Sequence, residues 1–158
     1  MHEVIVVCVD GSPGGYAAVA EAAELACRFN ARLISLSVEE KLPKHPATMG
    51  EVDESKREQD WYFEGVEAKA AGIAREHHAT LTSEVRMGSA AEAIVRFATE
   101  VGADLVVLGY KEHFRILNLV MGTTARKVSA AANASVLIVK TARADVGRQR
   151  LRELYGLK

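Results

Sequence analysis

Short apolar runs alternate with longer stretches of helical periodicity along most of the chain. The run from Val4 to Val9 is continuously apolar and mostly β-branched, as is typical of a strand buried on both faces of a parallel sheet. Similar runs predict strands at 33–38, 80–86, 105–108 and 136–139, and the stretches between them predict helices at 13–29, 58–76, 89–101 and 122–132. This βαβαβαβαβ order predicts a mainly parallel sheet covered by helices on both faces, because parallel neighbours need crossover connections.

Local signals mark the ends of these elements. Ser12 followed by Pro13 predicts the start of the first helix, and Ser89 with Glu92 three residues later predicts a capping box. Two segments fall outside the alternation. Residues 39–57, which are charged and contain two prolines, are expected to form a mobile excursion. Residues 141–158 form an arginine-rich extension with leucines at helical spacing, so we predict one folded domain over 1–140 followed by a helical extension.

Composition narrows the classes of function. The 158 residues include 20 basic and 21 acidic side chains, so no global field attracts nucleic acid or anionic lipid. No apolar run approaches membrane-spanning length, and no leader segment precedes the first strand. Cys8 and Cys27 lie in apolar stretches without metal-type spacing, which predicts buried, reduced thiols. We therefore expect a cytoplasmic protein without nucleic-acid or membrane partners.

Two turns are candidates for chemistry. In open α/β sheets, ligands bind beyond the carboxyl ends of the strands, where the strand order reverses. Asp10-Gly11-Ser12 follows the first strand, and a second region runs from Gly109 to Gly122-Thr123-Thr124 at a helix start. Glycine permits close backbone approach, and the free N–H groups of a helix start can bind an anion. Each turn taken alone fits a capped helix equally well.

Several segments together carry a more specific pattern. These are Val9-Asp10-Gly11-Ser12, Asp104 to Gly109, Met121-Gly122-Thr123, Lys127-Val128 and Ser135 to Val139. In order and spacing they resemble the universal stress protein family over residues 3–140. The resemblance implies a three-layer α/β/α fold of the adenine nucleotide alpha hydrolase-like type, with a five-stranded parallel sheet in the order 3-2-1-4-5. It also implies a stress-response module that acts as a homodimer through the last strand, by way of Val136, Leu137, Ile138 and Val139.

Nucleotide-binding members of that family carry the pattern G-x2-G-x9-G followed by Ser or Thr. Gly109, Gly122 and Thr123 match it, but Glu112 stands at the second glycine, and Ala125 replaces a frequent hydroxyl. The resemblance assigns the adenosine end to Asp10 and the backbone around Val38. The residues that it implies for binding ATP, ADP or AMP are Val9, Asp10, Gly11, Ser12, Val38, Leu108, Gly109, Glu112, Met121, Gly122, Thr123 and Thr124.

Because Glu112 replaces a glycine of the pattern, the sequence leaves open whether this cleft binds a nucleotide. A carboxylate about 4 Å from a phosphate charge costs about 4 kcal/mol at an effective dielectric of about 20. Alternatively, Glu112 turns to solvent or shares a magnesium ion with a bound nucleotide. Three functions remain: an adenine-nucleotide-binding regulatory module, a nucleotide-independent dimeric interaction protein with a vestigial cleft and an unknown protein partner, and a slow ATP hydrolase.

The remaining candidates for chemistry are weaker. The five histidines lack the spacing of a metal pair, so no resident metal is expected. Trp61, Tyr62 and Phe63 begin a helix without accompanying basic residues, which favours core packing over nucleic-acid stacking. The sequence has no Gly-x-Ser-x-Gly elbow and no nucleophile with an evident base, so no dedicated enzyme is expected. Asp10 and Glu112 are the only candidate bases for slow ATP hydrolysis.

Overall fold

The computed structural model describes residues 2–40, 49–110 and 122–140. Strands and helices alternate through these residues. They are β1 (Val4–Cys8), α1 (Pro13–Phe29), β2 (Arg32–Glu39), α2 (Met49–Glu76), β3 (Leu81–Met87), α3 (Ala90–Glu100), β4 (Leu105–Gly109), α4 (Thr123–Ala131) and β5 (Ser135–Val139). The predicted α/β class is confirmed, and the predicted extension at 141–158 lies outside the described residues.

The strands form one parallel sheet in the order β3-β2-β1-β4-β5, as the sequence predicted. The central strand is β1, where Val6 aligns with Ile34 of β2 on one side and Val106 of β4 on the other. The chain leaves β1 towards β2, whereas β4 lies on the opposite side. The strand order therefore reverses between the carboxyl ends of β1 and β4, where a ligand crevice is expected.

Helices cover both faces of the sheet, because alternate side chains of each strand point to opposite faces. On one face Ile5 and Val7 pack with α1 and α2, including Val19 and Val66. On the other face Val6 packs in a second cluster with α3 and α4, which supply Phe97 and Val128. This two-sided burial explains why β1 and β4 are continuously apolar instead of alternating.

The first helix begins and ends where the sequence predicts. Ser12 is its N-cap, and the hydroxyl oxygen accepts a hydrogen bond from the Gly15 N–H at 3.1 Å. Asn30 ends it in the left-handed conformation with φ of 53°. The predicted capping box of α3 is wrong in one respect. Ser89 is the N-cap, but its side chain makes no capping hydrogen bond. Ser89 and Glu92 are both exposed, so water can satisfy the first-turn N–H groups.

The predicted excursion over 39–57 is wrong in its described part. Glu39 belongs to β2, and residues 49–57 form the first turns of α2. Met49, the two glutamates, Lys56 and Arg57 of this stretch have high helix propensity, which outweighs the effect of Gly50 near the helix start. Residues 41–48 lie outside the described residues. Within the described residues, no helix combines the length and the apolar character needed to cross a membrane.

Two expectations of burial are also wrong. Trp61 is 79% exposed and Tyr62 is 50% exposed, because both lie off the apolar stripe of α2. That stripe is occupied by the half-buried Phe63 and the buried Val66, as their spacing predicts. Cys27 is exposed near the end of α1, so only Cys8 fits the expectation of a shielded thiol.

Candidate functional site

A cavity of about 430 Å³ lies at the carboxyl ends of β1 and β4, at the point where the strand order reverses. Its volume is within the range of small-molecule sites in proteins. Elements from both faces of the sheet contribute to its wall. The lining residues are Cys8, Val9, Asp10, Ser12, Gly15, Leu36, Val38, Glu40, Ala90, Ile94, Leu108, Gly109, Tyr110, Gly122, Thr123, Thr124, Ala125 and Ile138.

The turn between β1 and α1 forms one end of the cavity. Oδ1 of Asp10 accepts hydrogen bonds from both the backbone N–H, at 3.0 Å, and the hydroxyl of Ser12. Gly11 has φ of +82°, a conformation that side chains of L-residues rarely adopt. From α2, the Tyr62 hydroxyl donates to the backbone oxygen of Asp10 at 2.6 Å. The turn is therefore held from within and from a second helix.

Close backbone packing brings the two predicted turns together. A Cβ atom added to Gly109 would collide with the carbonyl group of Gly14 and would lie 2.8 Å from the nitrogen of Gly15. A Cβ atom on Gly14 would in turn lie 2.7 Å from the carbonyl oxygen of Tyr110. The start of α1 thus lies directly against the end of β4. Gly109 is required by this contact between two elements, whether or not a ligand is bound.

The start of α4 forms the opposite end of the cavity. Gly122 is the N-cap, and it provides no side-chain capping group. The Arg126 N–H donates to the Gly122 carbonyl at 3.0 Å, so the N–H groups of the preceding turn have no acceptor within the helix. The hydroxyls of Thr123 and Thr124 are also at the cavity wall. This end presents hydrogen-bond donors and the positive end of a helix dipole.

The titratable groups of the cavity are mainly acidic in the described part of the chain. Asp10 and Glu40 are the charged residues among the described lining residues. Ionised carboxylates only accept hydrogen bonds, so they favour ligand groups that carry N–H or O–H donors. Burial, assisted by the negative charge of Asp10, raises the pKa of Cys8 to about 12. The thiol therefore remains protonated near neutral pH and is a poor nucleophile.

Most of the residues predicted for nucleotide binding surround this one cavity. Gly11 does not line it but shapes the turn behind Asp10. Glu112 and Met121 lie outside the described residues, so the effect of Glu112 on the site stays a prediction. The residues that the structure places at the wall are Val9, Asp10, Ser12, Val38, Leu108, Gly109, Gly122, Thr123 and Thr124.

Sequence reasoning missed the contribution of α3 to the cavity. Ala90 and Ile94 line it, four residues apart on one face of the helix. That spacing is visible in the sequence, but it equally fits ordinary core packing. Glu40 was also missed, since it directly follows β2 without belonging to a motif. Among the described residues, no group of three or more His, Cys, Asp or Glu side chains could hold a metal ion.

Comparison with known proteins agrees with this architecture. UspA from Lactobacillus plantarum matches with a TM-score of 0.76 and 24% identity, over 87% of this chain and 97% of that protein, and shares the fold. A universal stress protein in complex with cAMP matches with a TM-score of 0.67 and 26% identity, over 87% of this chain and 96% of the other.

A curated relative is the stress response protein NhaX of Bacillus subtilis, which is 34% identical over 77 residues. That stretch is 49% of this chain and 46% of NhaX, so the match spans about half the length of each protein. A model of the universal stress protein family matches residues 1–140. The resemblance predicted from the sequence is thereby confirmed. Because the family match covers most of the 158-residue chain, this protein belongs to the universal stress protein family.

Proposed function

We propose that the cavity binds an adenine nucleotide and that the protein acts as a nucleotide-responsive regulatory module in the stress response. One observation carries this proposal. A single cavity has hydrogen-bond acceptors at the Asp10 end and open donors at the α4 end. A nucleotide has the matching polarity, since its adenine base offers an amino group and its phosphates need donors.

The Asp10 end suits a flat, partly apolar base. Leu36, Val38 and Ile94 supply apolar wall, and the carboxylates of Asp10 and Glu40 can accept hydrogen bonds from an exocyclic amino group. Adenine carries that group at position 6, whereas hypoxanthine and guanine carry a carbonyl there. A carboxylate that contacts position 6 therefore favours adenine, whereas one that contacts position 1 would favour the N1–H of hypoxanthine or guanine, and competition with GTP distinguishes the two cases.

The α4 end suits a phosphate. Its first-turn N–H groups and the hydroxyls of Thr123 and Thr124 supply donors, and the helix dipole adds a favourable field. The two carboxylates of the cavity oppose a high negative charge. Magnesium carried by the phosphates of ATP or ADP would reduce that repulsion, whereas AMP and cyclic AMP carry less charge from the start. The match to a universal stress protein in complex with cAMP supports the same class of ligand.

We further propose that the module works as a homodimer in the cytoplasm. Within the described residues β5 pairs with β4 on one side and forms an edge of the sheet. Its apolar side chains Val136, Leu137, Ile138 and Val139 are only half-buried, and an exposed apolar edge favours pairing with a second copy. Unpaired Cys8 and Cys27 agree with a reducing compartment.

We propose binding instead of dedicated catalysis. The Cys8 thiol is held protonated, and Oδ1 of Asp10 is occupied by two donors from Ser12, so neither group resembles an activated nucleophile or base. Slow hydrolysis of bound ATP would then be a side reaction of the regulatory site.

The proposal is tested by denaturing the purified protein and identifying released small molecules by mass spectrometry. We expect an adenine nucleotide. In parallel, fluorescent ATP is titrated and competed with AMP, ADP and ATP, with GTP as the control for base preference. If no adenine compound is released and no titration saturates at millimolar concentration, the nucleotide-independent interaction protein takes the place of this proposal.

A further inference from the structure

Tyr62 links helix α2 to the turn that forms the adenine end of the cavity. Its hydroxyl donates to the backbone oxygen of Asp10 at 2.6 Å, although the two residues are 52 positions apart in the chain. One helical turn further along α2, Val66 is 3% exposed in the core cluster that also contains Val9. Tyr62 also packs edge-on against Phe63, with ring centroids 5.4 Å apart. The packing of α2 therefore places the Tyr62 ring beside the Asp10 turn.

The acceptor of this hydrogen bond belongs to the peptide group between Asp10 and Gly11. Gly11 has φ of +82°, and glycine adopts either sign of φ at little steric cost. Steric factors at Gly11 therefore do not fix the orientation of this peptide, and the Tyr62 hydroxyl donates to its carbonyl in the observed orientation. A Cβ atom on Gly11 would collide with that same hydroxyl, so the close approach itself requires glycine.

We propose that Tyr62 is a positioning residue for nucleoside recognition: it holds the Asp10–Gly11 peptide in the orientation that presents the Asp10 carboxylate to the base. This inference rests on the proposed function of the cavity as an adenine-nucleotide site. Without the hydroxyl the observed orientation loses one of the hydrogen bonds that stabilise it, and the apparent affinity falls with the fraction of molecules that keep that orientation. A typical hydrogen bond of this kind corresponds to a loss of about two- to tenfold.

The effect has a chemical signature that a general loss of stability lacks. The Asp10 carboxylate accepts from the amino group of adenosine, whereas purine riboside carries only hydrogen at the same position and has no N1–H donor. Misplacing Asp10 therefore weakens adenosine binding and leaves the binding of purine riboside nearly unchanged. The preference for adenosine over purine riboside narrows by the same factor by which the adenosine affinity falls.

The test compares Tyr62→Phe with Trp61→Phe. The second variant alters the neighbouring aromatic residue of the same helix, which is 79% exposed, and serves as the matched control. Calorimetric titration with adenosine and purine riboside gives the affinity ratio, and ¹H–¹⁵N spectra without ligand report on the Gly11 and Ser12 amides. We expect Tyr62→Phe to narrow the ratio two- to tenfold and to broaden or split the Gly11 signal. Trp61→Phe should do neither.

Each other outcome has a definite meaning. Unchanged adenosine affinity in Tyr62→Phe overturns the proposal, and so does an equal loss for both nucleosides. If the wild-type protein binds neither the nucleosides nor AMP, ADP or ATP, the proposed function fails, and the Gly11 signal alone decides whether Tyr62 positions the turn: an unchanged signal overturns that role. If Tyr62→Phe melts at a lower temperature, the affinity ratio still decides, because it does not depend on the folded fraction.

Discussion

Gly109 and Gly122 belong to the same sequence pattern, but the structure gives them different roles. Gly109 allows close packing of α1 against β4, whereas Gly122 lies at the cavity wall, and alanine substitutions at the two positions distinguish these roles. A new Cβ atom at position 109 would lie 2.8 Å from the Gly15 nitrogen, whereas an ordinary contact begins at 3.4 Å. It would also collide with the carbonyl of Gly14. Because both neighbours are backbone, the start of α1 must move away from β4 by about half an ångström or more.

The cost follows from that displacement. Overpacking of a well-packed region typically costs about 1–3 kcal/mol, and the reduced entropy of the unfolded chain returns about 0.4–1 kcal/mol. We therefore expect Gly109→Ala to lower the free energy of unfolding by about 1–2 kcal/mol. For a chain of this size the melting temperature should fall by about 3–8 °C.

Gly122→Ala is the matched comparison, because a Cβ atom there would meet no other described atom within 4 Å. Its stability should change by less than about 0.5 kcal/mol, because the poorer N-capping by alanine, about 0.5–1 kcal/mol, is offset by about 0.4–1 kcal/mol from the reduced entropy of the unfolded chain. At the cavity wall, however, the methyl group hinders approach of a phosphate to α4. Loss of one charge-assisted hydrogen bond would weaken ATP binding about tenfold or more.

Thermal unfolding and calorimetric titration of both variants check this prediction. The reasoning would be refuted if Gly109→Ala melted like the wild-type protein, because the backbone contact would then be too soft to require glycine. It would also fail if Gly122→Ala were destabilised as strongly as Gly109→Ala. Unchanged ATP affinity in folded Gly122→Ala would place the phosphates elsewhere.

Four further predictions follow from other features. Leu137→Lys should convert a dimer to a monomer by light scattering, and a wild-type monomer at high concentration would contradict the proposed interface. In the folded protein at pH 8, iodoacetamide should label the exposed Cys27 and spare Cys8. The pKa of Cys8, about 12, leaves roughly one Cys8 thiol in ten thousand ionised at that pH. Equal labelling of the two cysteines, measured by peptide mass mapping, would contradict this. Burial alone would raise the pKa of Asp104, but hydrogen bonds from two backbone N–H groups and His2 lower it. The Asp104 carboxylate therefore adds stability near neutral pH, and this stability is lost as the pH falls through the lowered pKa. The unfolding free energies of the wild-type protein and of Asp104→Asn should therefore converge in acid. A difference that stays constant with pH would exclude this linkage. If the Glu112 carboxylate repels phosphate, Glu112→Gly should raise the affinity for ATP more than the affinity for adenosine, and this gain should shrink in high salt. A loss of ATP affinity that occurs only in buffer with magnesium would instead indicate a metal ion shared by Glu112 and the nucleotide.

The central strands could be predicted from the sequence because a strand that is buried on both faces is apolar at every position. In β1, Ile5, Val6 and Val7 are all fully buried, so the run is apolar without alternation. The order of the strands came from the family resemblance and not from any local pattern. Asp10 and Gly122 marked the two ends of the cavity because one follows a strand and the other begins a helix, and the resemblance placed the two turns in one cleft.

The first turns of α2, at residues 49–57, could not be predicted in the same way. Its first turns lie beyond the apolar stripe that begins near Phe63, so hydrophobic periodicity gives no signal there. Exposure of Trp61 depends on the rotation of that helix about its axis, which only tertiary packing determines. The Tyr62 contact joins elements 52 residues apart, and no spacing along the chain indicates it.

The two ends of the cavity are held by different parts of the fold. A change in the phosphate-binding motif can therefore affect phosphate binding without affecting binding of the base. The Asp10 end is held by Ser12 within its own turn and by Tyr62 from α2. The phosphate end depends on the uncapped start of α4, at Gly122. No described hydrogen bond joins one end to the other, so their contributions to binding should be nearly additive. A glutamate at position 112 would then reduce the contribution of the phosphates and leave adenosine recognition intact. The affinity of such a site would fall as the phosphate charge of the ligand rises, while its preference for adenine would remain.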